Sequence, residues 1–280
     1  MIDRADLETL WLLGDPVSHS LSPLIQNTAI QRMGLKIVYL ASRVAADNLE
    51  QVVRALPALG AVGANVTVPH KLRAFEICDR LSDRAQTMKA VNTLHFRNGE
   101  IFGDNTDGVG WWNSLTGQFS YRFSKAVVIG AGGASRAICH TLATRQIPNL
   151  VLLNRTAEKA HQLRDELPAG FEVKIAGLES FEEHLEPNTL VVQTTSVGLK
   201  GEFSPVKLPE TWPEGCCLSE LIYGRKTALM KKVVALGGRA QDGLGMLCGQ
   251  AAESLSLWTG RPLTEVPVDE MMRAAQQRLL

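Results

Sequence analysis

Hydroxyl, amide, ammonium and carboxylate side chains gather in four short segments near the start of the chain. The segments are residues 19–23 with Ser20 and Ser22, 65–71 with Asn65, Thr67 and Lys71, 90–93 with Asn92, and 103–108 with Asp107. Each segment alone is typical of a helix cap, a turn or a solvated helix residue. Because four of them coincide, we favour a site for a small acid that carries several hydroxyl groups.

The second segment has a strand pattern in which polar and apolar side chains alternate. The alternation places Asn65 and Thr67 on one face, and Lys71 just beyond the end of the strand. A parallel strand that is buried on both faces is apolar throughout, so the polar face predicts contact with a ligand.

A glycine-rich segment, Gly130-Ala131-Gly132-Gly133-Ala134-Ser135, follows an apolar strand pattern and opens a helical one. In this position glycines allow a tight turn and let backbone amides approach a pyrophosphate at the positive end of the helix. Ser135 replaces the third glycine of the dinucleotide fingerprint with a residue small enough for close packing. The alternative is a plain strand-to-helix turn, but the placement favours nucleotide binding.

The end of the next predicted strand indicates which dinucleotide binds. An NAD site carries Asp or Glu about 20 residues beyond the glycines. This chain has Asn154-Arg155-Thr156 there, followed by Lys159. Their guanidinium, hydroxyl, amide and ammonium groups suit a 2′-phosphate, and no carboxylate repels it. We therefore predict NADP as the cofactor, the alternative being a helix N-cap with a solvated arginine.

The composition predicts a soluble globular protein with one large domain or two medium ones. The chain has 280 residues, 29 Lys+Arg against 29 Asp+Glu, and 45% apolar residues. Zero formal net charge argues against nucleic acid as a partner, and no apolar run approaches the roughly 18 residues of a membrane helix. The acidic N-terminus and five cysteines without a Cys-x-x-Cys motif favour a cytoplasmic protein with reduced thiols and no metal site. We expect a monomer or a homodimer that acts on a small molecule.

Short apolar strands alternate with helical patterns, which predicts an α/β fold with largely parallel sheets. Asn98-Gly99 predicts a type I′ hairpin that gives the first sheet an antiparallel edge. The helical stretches 246–258 and 268–280 follow the second run of strands, and we expect them to fold back onto the first. The prediction is therefore two α/β domains with a cleft between them. Residues 1–106 with 243–280 form a mixed, mostly parallel substrate domain, and residues 107–242 form a Rossmann-like NADP-binding domain.

Seven sequence blocks, in family order over nearly the whole chain, resemble the shikimate dehydrogenase family. They are residues 14–23, 63–71, 90–93, 103–108, 130–136, 154–156, and 242–247 with Gln250. The resemblance implies NADPH-dependent reduction of 3-dehydroshikimate to shikimate in the pathway to aromatic amino acids.

The resemblance also implies a role for each matching residue. Lys71 and Asp107 would be the catalytic pair. The substrate would contact Ser20, Ser22, Asn65, Thr67, Lys71, Asn92, Asp107, Tyr223 and Gln250. The cofactor would contact Gly130, Ala131, Gly132, Gly133, Ala134 and Ser135 at its pyrophosphate, Asn154, Arg155, Thr156 and Lys159 at its 2′-phosphate, and also Thr195, with Gly243 and Met246 by the nicotinamide.

The implied catalytic pair agrees with the chemistry of carbonyl reduction. Hydride transfer to a ketone carbon builds negative charge on its oxygen, which a nearby ammonium stabilises while a positioned acid supplies a proton. Lys71 fits both roles, and Asp107 would hold the lysine and a substrate hydroxyl in place.

Two alternatives remain at this point. A dehydrogenase of the same fold acting on quinate or using NAD is one, and a non-catalytic NADP-binding sensor is the other. Ser20, Ser22 and Arg155 favour shikimate and NADP, and the presence of both Lys71 and Asp107 disfavours the sensor.

Overall fold

Strands and helices alternate along most of the chain and form two separate sheets, as the period of the apolar residues predicts. The computed structural model describes residues 7–119 and 122–280, so residues 1–6, with the acids of the N-terminus, lie outside the described residues. The chain divides into two units, one up to Gly110 together with Leu247–Leu280, and one over Trp111–Met246. Each division falls inside a continuous helix, whereas the sequence places the boundaries at residues 106/107 and 242/243.

The elements of the first unit are β1 (Glu8–Gly14), α1 (Ser22–Arg32), β2 (Ile37–Arg43), α2 (Leu49–Ala55), β3 (Ala61–Val66), α3 (Lys71–Ile77), β4 (Arg80–Leu81), α4 (Asp83–Met88), β5 (Thr93–Arg97), β6 (Glu100–Asp104) and the start of α5 (Asp107–Gln118). The second unit continues with β7 (Lys125–Ile129), α6 (Gly133–Thr144), β8 (Leu150–Leu153), α7 (Ala157–Asp165), β9 (Val173–Ala176), β10 (Thr189–Gln193), β11 (Cys217–Glu220), α8 (Ala228–Ala235) and β12 (Arg239–Gln241). The chain ends with α9 (Leu244–Thr259) and α10 (Val268–Leu279). Short 3₁₀ turns lie at Ala46–Asn48, Leu56–Leu59, Leu178–His184 and Leu263–Glu265.

The first sheet is mixed, with the strand order β2-β1-β3-β5-β6-β4. Asn98 and Gly99 have φ angles of 54° and 78°, as the predicted type I′ turn between β5 and β6 requires. The prediction that this hairpin forms the edge of the sheet is wrong, because the two-residue strand β4 pairs with the outer side of β6.

The strand directions bring the four polar segments to one edge of the first sheet. β1 and β3 are parallel, and β5 is antiparallel to both β3 and β6. The carboxyl ends of β1, β3 and β6 therefore meet the start of β5 at one edge, which we call the polar edge. Residues 19–23 follow β1, 67–71 follow β3, 90–92 precede β5, and 105–107 follow β6.

From Leu247 on, α9 and α10 belong to the first unit, although they follow the second in sequence. Trp258 on α9 donates its indole N–H to the Leu94 carbonyl at 2.8 Å, and Gln26 on α1 donates to the Ala251 carbonyl at 3.0 Å. A Cβ on Gly63 would clash with the Trp258 ring, so this glycine lets the indole lie on β3. α9 begins at Leu244, two residues before the predicted start, because its first turn continues directly from the end of the Asp242-Gly243 turn.

The second sheet is entirely parallel, with the strand order β12-β11-β10-β7-β8-β9. Every residue of β7 and β8 is buried, as strands covered on both faces require. Burying one Val, Leu or Ile side chain contributes about 1.5–3 kcal/mol, so these strands anchor the unit. The order reverses at β7, and ligands of such sheets bind where it reverses, at the carboxyl ends of the strands.

Among the described residues, no helix combines the length and apolar character needed to cross a bilayer. Cys139, Cys216, Cys217 and Cys248 are buried, Cys78 is half-buried, and all five cysteines are free. Within residues 7–119 and 122–280, no three His, Cys, Asp or Glu side chains gather as ligands for a metal ion.

Candidate active site

An ammonium and a carboxylate meet at the polar edge. Lys71 is the first residue of α3 and Asp107 is the first residue of α5. Lys71 Nζ lies 2.5 Å from Asp107 Oδ2, and the exposed fractions of the two side chains are 20% and 7%. The structure thus brings together the two residues that the resemblance assigns to catalysis, with the ammonium as the more accessible partner.

Asn92 binds the other oxygen of the Asp107 carboxylate. Its Nδ2 donates to Asp107 Oδ1 at 2.8 Å, and its Oδ1 accepts from the Thr106 backbone N–H at 2.9 Å and from the Thr93 hydroxyl at 2.8 Å. Because both ends of the amide are engaged, the orientation of Asn92 is determined by its surroundings. The Asp107 backbone N–H donates to Asn105 Oδ1 at 3.1 Å, so the Asn105 side chain caps α5 and leaves the Asp107 carboxylate for Lys71 and Asn92.

A buried polar network continues from Asn92 into the first unit. Asn65 Oδ1 accepts from the Tyr39 hydroxyl at 2.8 Å, and Asn65 Nδ2 donates to Ser254 Oγ at 3.0 Å. Ser254 Oγ also lies 2.8 Å from Thr93 Oγ1. Burial raises the pKa of Tyr39, which keeps its hydroxyl protonated as a donor. Tyr39 and Ser254 are not among the predicted site residues, although Ser254 stands four residues after Gln250 on the same helix face.

The predicted polar face of residues 65–68 needs correction. β3 ends at Val66, so Thr67 lies in the following turn and does not share a strand face with Asn65. Asn65 is buried, and protein groups bind both ends of its amide. A ligand is therefore not needed to explain its polarity, and its contact with substrate stays a prediction.

The two serines after β1 bind each other. Ser20 Oγ donates to Ser22 Oγ at 3.1 Å and accepts from the Ser22 backbone N–H at 3.2 Å. The N-cap position of α1 is Leu21, and its side chain makes no capping hydrogen bond. Neither serine stands at the N-cap position, but Ser20 Oγ accepts from the N–H of the first residue of α1, and both hydroxyls stand together at the start of this helix.

Gln250 and Tyr223 complete the predicted substrate set. Gln250 Nε2 donates to the Leu247 carbonyl at 2.8 Å, and the Gln250 carbonyl accepts from Thr106 Oγ1 at 3.0 Å. The first of these bonds folds the Gln250 side chain back along α9. Tyr223 follows β11 in the second unit, so its contact with substrate stays a prediction.

Asp104, the last residue of β6, is a buried carboxylate that the sequence analysis does not assign. Arg84 donates to its two oxygens at 2.6 and 2.7 Å, and the Ser82 hydroxyl donates to Oδ1 at 2.5 Å. Burial would raise the pKa of Asp104, but the hydrogen bonds and charge of Arg84, with the bonds from Ser82 and the Asn105 backbone, lower it. The Asp104 carbonyl accepts from the Asn92 backbone N–H at 3.0 Å, so this ion pair anchors the segment that carries the site.

The glycine-rich loop stands at the carboxyl end of β7. Gly130 has a φ of +108°, and a Cβ there would lie 2.7 Å from Thr194 Oγ1, so the tight turn requires glycine. Gly132 and Gly133 are exposed, and a Cβ on either would meet nothing within 4 Å. Ser135 Oγ accepts from the Gly132 N–H at 3.1 Å and lies 2.6 Å from Thr194 Oγ1. This open start of α6 fits a pyrophosphate.

The residues predicted at the 2′-phosphate follow β8. Asn154 Nδ2 donates to the Thr156 carbonyl at 2.8 Å, and Thr156 is the N-cap residue of α7 without a side-chain capping bond. Arg155 and Lys159 are exposed. Asn154, Arg155, Ala157, His161 and Gly177 are among the residues that line a depression of about 470 Å³ beside them. Arg155 and the Glu179 carboxylate both line this depression, and Lys159 is exposed one turn along α7. A guanidinium there fits a phosphate.

The remaining predicted cofactor residues lie near the carboxyl ends of β10 and β12. Thr195 is held through its backbone N–H by the Gln193 side chain. Gly243 packs so closely on Leu221 that a Cβ would clash with the Leu221 carbonyl. Met246 packs with Ala131 and Leu221 against the apolar core of the second unit.

Three family models match the chain. The shikimate dehydrogenase substrate binding domain matches residues 12–94, shikimate / quinate 5-dehydrogenase matches residues 115–199, and the shikimate 5′-dehydrogenase C-terminal domain matches residues 243–276. The matches follow one another along the chain and include parts of both units.

Individual proteins are similar over nearly the same length. A shikimate dehydrogenase (NADP(+)) from Methanopyrus kandleri is 38% identical over 284 residues, which covers 98% of this chain and 97% of the relative. A shikimate dehydrogenase (NADP(+)) from Bacillus licheniformis is 38% identical over 273 residues and 96% of each chain. The crystal structure of shikimate 5-dehydrogenase from Thermus thermophilus in complex with NADP(H) and shikimate has a TM-score of 0.87 at 32% identity, covering 98% of this chain and 100% of that chain.

The Arg84–Asp104 pair predicts a pH-dependent contribution to the stability of the first unit. The folded pKa of Asp104 is lowered, so its contribution is fully present above the ordinary carboxyl value and is lost as pH falls below about 4. Asp104→Asn should lower the free energy of unfolding at pH 7 by about 2–3 kcal/mol, less than for a fully buried pair because Arg84 is 34% exposed.

Urea unfolding of both proteins between pH 7 and pH 3 measures this difference, which should shrink as the pH falls below about 4. Glu100→Gln, in the exposed Arg80–Glu100 pair, is the control and should change stability at pH 7 by less than about 1 kcal/mol. A difference between wild type and Asp104→Asn that stays constant down to pH 3 would contradict the assignment.

Proposed function

The chain belongs to the shikimate dehydrogenase family, and on that premise we propose that it catalyses the reversible, NADPH-dependent reduction of 3-dehydroshikimate to shikimate. This reaction is a step towards chorismate and the aromatic amino acids. The observation that carries the proposal is the Lys71–Asp107 ion pair at the polar edge, with Asn92 bound to its carboxylate.

Lys71 performs the proton chemistry in this proposal. NADPH, when bound, supplies a hydride to the carbonyl carbon of the substrate. The Lys71 ammonium stabilises the negative charge that develops on the carbonyl oxygen and donates a proton to it from Nζ. Asp107 holds Nζ through Oδ2, and Asn92 prevents the carboxylate from rotating by binding Oδ1.

The substrate contacts belong to the same proposal. Ser20 and Ser22 place two hydroxyl oxygens 3.1 Å apart, which provides two donors for one carboxylate. The ring hydroxyls of the substrate bind Asn65, Thr67, Asn92 and Gln250, with Asp107 as an acceptor and Tyr223 as a further contact. The first three of these have amide or hydroxyl groups near the ends of β3 and β5, and the Gln250 amide lies on α9, which supports this assignment.

The cofactor contacts divide between the two ends of NADP. We assign the pyrophosphate to residues 130–135 and the 2′-phosphate to Arg155 and Lys159, with Asn154 and Thr156 beside them. The open backbone at Gly132 and Gly133 and the exposure of both cations support this division. Residues 1–106 with 243–280 are accordingly the substrate domain, and residues 107–242 the NADP domain.

We also propose a cytoplasmic location and a monomer or homodimer as the working state. Five free cysteines fit a reducing compartment, which supports the first proposal.

The direct test measures oxidation of shikimate and of quinate, each with NADP and with NAD, by the absorbance of the reduced nicotinamide. Shikimate with NADP should give the highest kcat/KM, exceeding NAD by about tenfold or more because a charge-assisted hydrogen bond is worth about 1.5–3 kcal/mol. Equal use of quinate or NAD would identify a broader dehydrogenase. NADP binding without turnover of any pair would identify a non-catalytic sensor.

Lys71→Ala should reduce kcat by about 10²- to 10⁴-fold, the usual contribution of a proton-transfer group. KM for shikimate should change little by comparison, because the remaining substrate contacts are intact. Steady-state kinetics measures the two effects separately, and Lys36→Ala, at an exposed lysine of the same unit, is the control. A kcat equal to that of the control would rule out Lys71 as the proton donor.

Arg155→Ala should raise KM for NADPH by about 10- to 100-fold, as expected for loss of a charge-assisted phosphate contact. KM for NADH should not rise, because NADH has no 2′-phosphate. Arg164→Ala, on the far end of α7, is the matched control, since Arg164 pairs with Asp165 on the surface. An equal loss for NADPH and NADH would show that Arg155 does not read the 2′-phosphate.

A further inference from the structure

Two buried polar residues are neighbours on adjacent strands of the second sheet. Gln193 is the last residue of β10 and Glu220 is the last residue of β11, and they are direct partners in the parallel register. Both are fully buried. Burying a polar group costs free energy unless it is hydrogen-bonded, so the partners of these two side chains account for their burial.

Gln193 holds the backbone that follows β10. Its Oε1 accepts from the Thr195 N–H at 2.5 Å. Its Nε2 donates to the Thr195 carbonyl at 3.3 Å and to the Val197 carbonyl at 3.1 Å. One side chain therefore binds the backbone of Thr195 on both sides of its Cα.

Glu220 holds the backbone that follows β11. Its Oε1 accepts from the Ile222 N–H at 3.1 Å, and its Oε2 accepts from the Thr227 hydroxyl at 2.9 Å. Thr227 is the N-cap of α8, and its Oγ1 accepts from the Met230 N–H at 3.3 Å. Burial raises the pKa of Glu220, and the groups that oppose this rise are all neutral donors.

The two backbone segments are next to residues of the proposed cofactor site. The Thr195 methyl group would lie 2.8 Å from a Cβ on Gly130, so residues 194–195 form the wall of the glycine turn. The Gly243 N–H donates to the Ile222 carbonyl at 3.2 Å, and Gly243 packs against the Leu221 carbonyl. Gln193 and Glu220 thus reach Gly130 and Gly243 through one backbone segment each.

The strand order identifies the end of the cofactor that this pair affects. Arg155 follows β8, on one side of β7, whereas Gln193 and Glu220 end β10 and β11 on the other side. A dinucleotide binds across the point where the strand order reverses, so that one half lies over the strands on one side of that point and the other half over the strands on the other side. With the 2′-phosphate at β8, the nicotinamide half extends over β10 and β11.

We propose that Gln193 and Glu220 are a positioning pair, which sets the backbone of residues 194–197 and 221–222 and thereby the binding of the nicotinamide half of NADP. This inference rests on the proposed function, since it takes the 2′-phosphate to bind at Arg155. Neither side chain touches the reacting atoms in this role. Both act through the backbone they hold.

Two cofactor probes separate this role from a general loss of structure. Adenosine 2′,5′-bisphosphate carries the 2′-phosphate but lacks the nicotinamide half, and NADP carries both. Gln193→Met, of similar volume but without an amide, and Glu220→Gln, of identical shape, should each weaken NADP binding by about tenfold, the equivalent of about one lost hydrogen bond. Calorimetry should show less than a twofold change for the bisphosphate. KM for NADPH should rise in parallel, with a smaller change in KM for shikimate.

Ser219→Ala is the matched control. Ser219 is buried beside Glu220 on β11, but it binds Trp111 Nε1 at 2.9 Å and Gln241 Nε2 at 3.2 Å instead of the loops. This variant should lower the melting temperature and leave both dissociation constants unchanged. If Glu220→Gln does not fold, Gln193→Asn is the second variant. It keeps the amide but shortens the side chain that binds the backbone of Thr195 and Val197.

Binding of the two probes shows separately whether the positioning role and the proposed function are correct. If Arg155→Ala weakens both probes while the pair variants bind both as wild type does, the positioning role is wrong and the proposed function stands. An equal loss of both probes in the pair variants also overturns it, because that pattern indicates general loss of structure. A wild-type protein that binds neither probe overturns the proposed function and this inference together.

Discussion

The buried carboxylate of Asp107 is the constraint on which the site depends. A carboxylate removed from water needs a donor for each oxygen and a compensating charge. Lys71 provides the charge at Oδ2 and Asn92 the donor at Oδ1, while the start of α5 adds the positive end of a helix dipole. Any movement of Asn92 would leave one oxygen unpaired, so the requirement that fixes Asp107 also fixes the ammonium available to a substrate.

The fold satisfies this requirement by packing α5 closely against α9, which is far away in sequence. A Cβ on Gly110 would clash with the backbone of Gln250, so α5 and α9 meet backbone to backbone. The Gln250 carbonyl can therefore accept from Thr106 Oγ1, and Ser254 on the next turn of α9 reaches Thr93. The first unit needs α9 because this helix carries the Gln250 carbonyl and the Ser254 hydroxyl, which complete the network around Asn92.

The sequence predicts the fold class and the polar segments because both depend on local patterns. Asn98-Gly99 specifies its turn by conformational preference alone, and it is found as predicted. The prediction that the β5–β6 hairpin forms the edge of the first sheet is wrong because β4, which pairs with β6, has only two residues. β12 is not predicted because three residues are too few to show an alternation of polar and apolar side chains. The Arg84–Asp104 pair and the role of Ser254 depend on contacts between residues far apart in sequence, and no local spacing indicates which partners meet.

The buried carboxyl groups of the two units are stabilised in different ways, and the ligands expected at each explain the difference. Asp104 and Asp107 are each paired with a cation, which keeps negative charge where the proposed chemistry needs an ammonium held in place. Glu220 has only neutral donors, and burial raises its pKa above the ordinary carboxyl value. The Ile222 N–H and the Thr227 hydroxyl let the Glu220 carboxyl organise the backbone, while Arg155 and Lys159, which we propose as contacts of the 2′-phosphate, remain exposed.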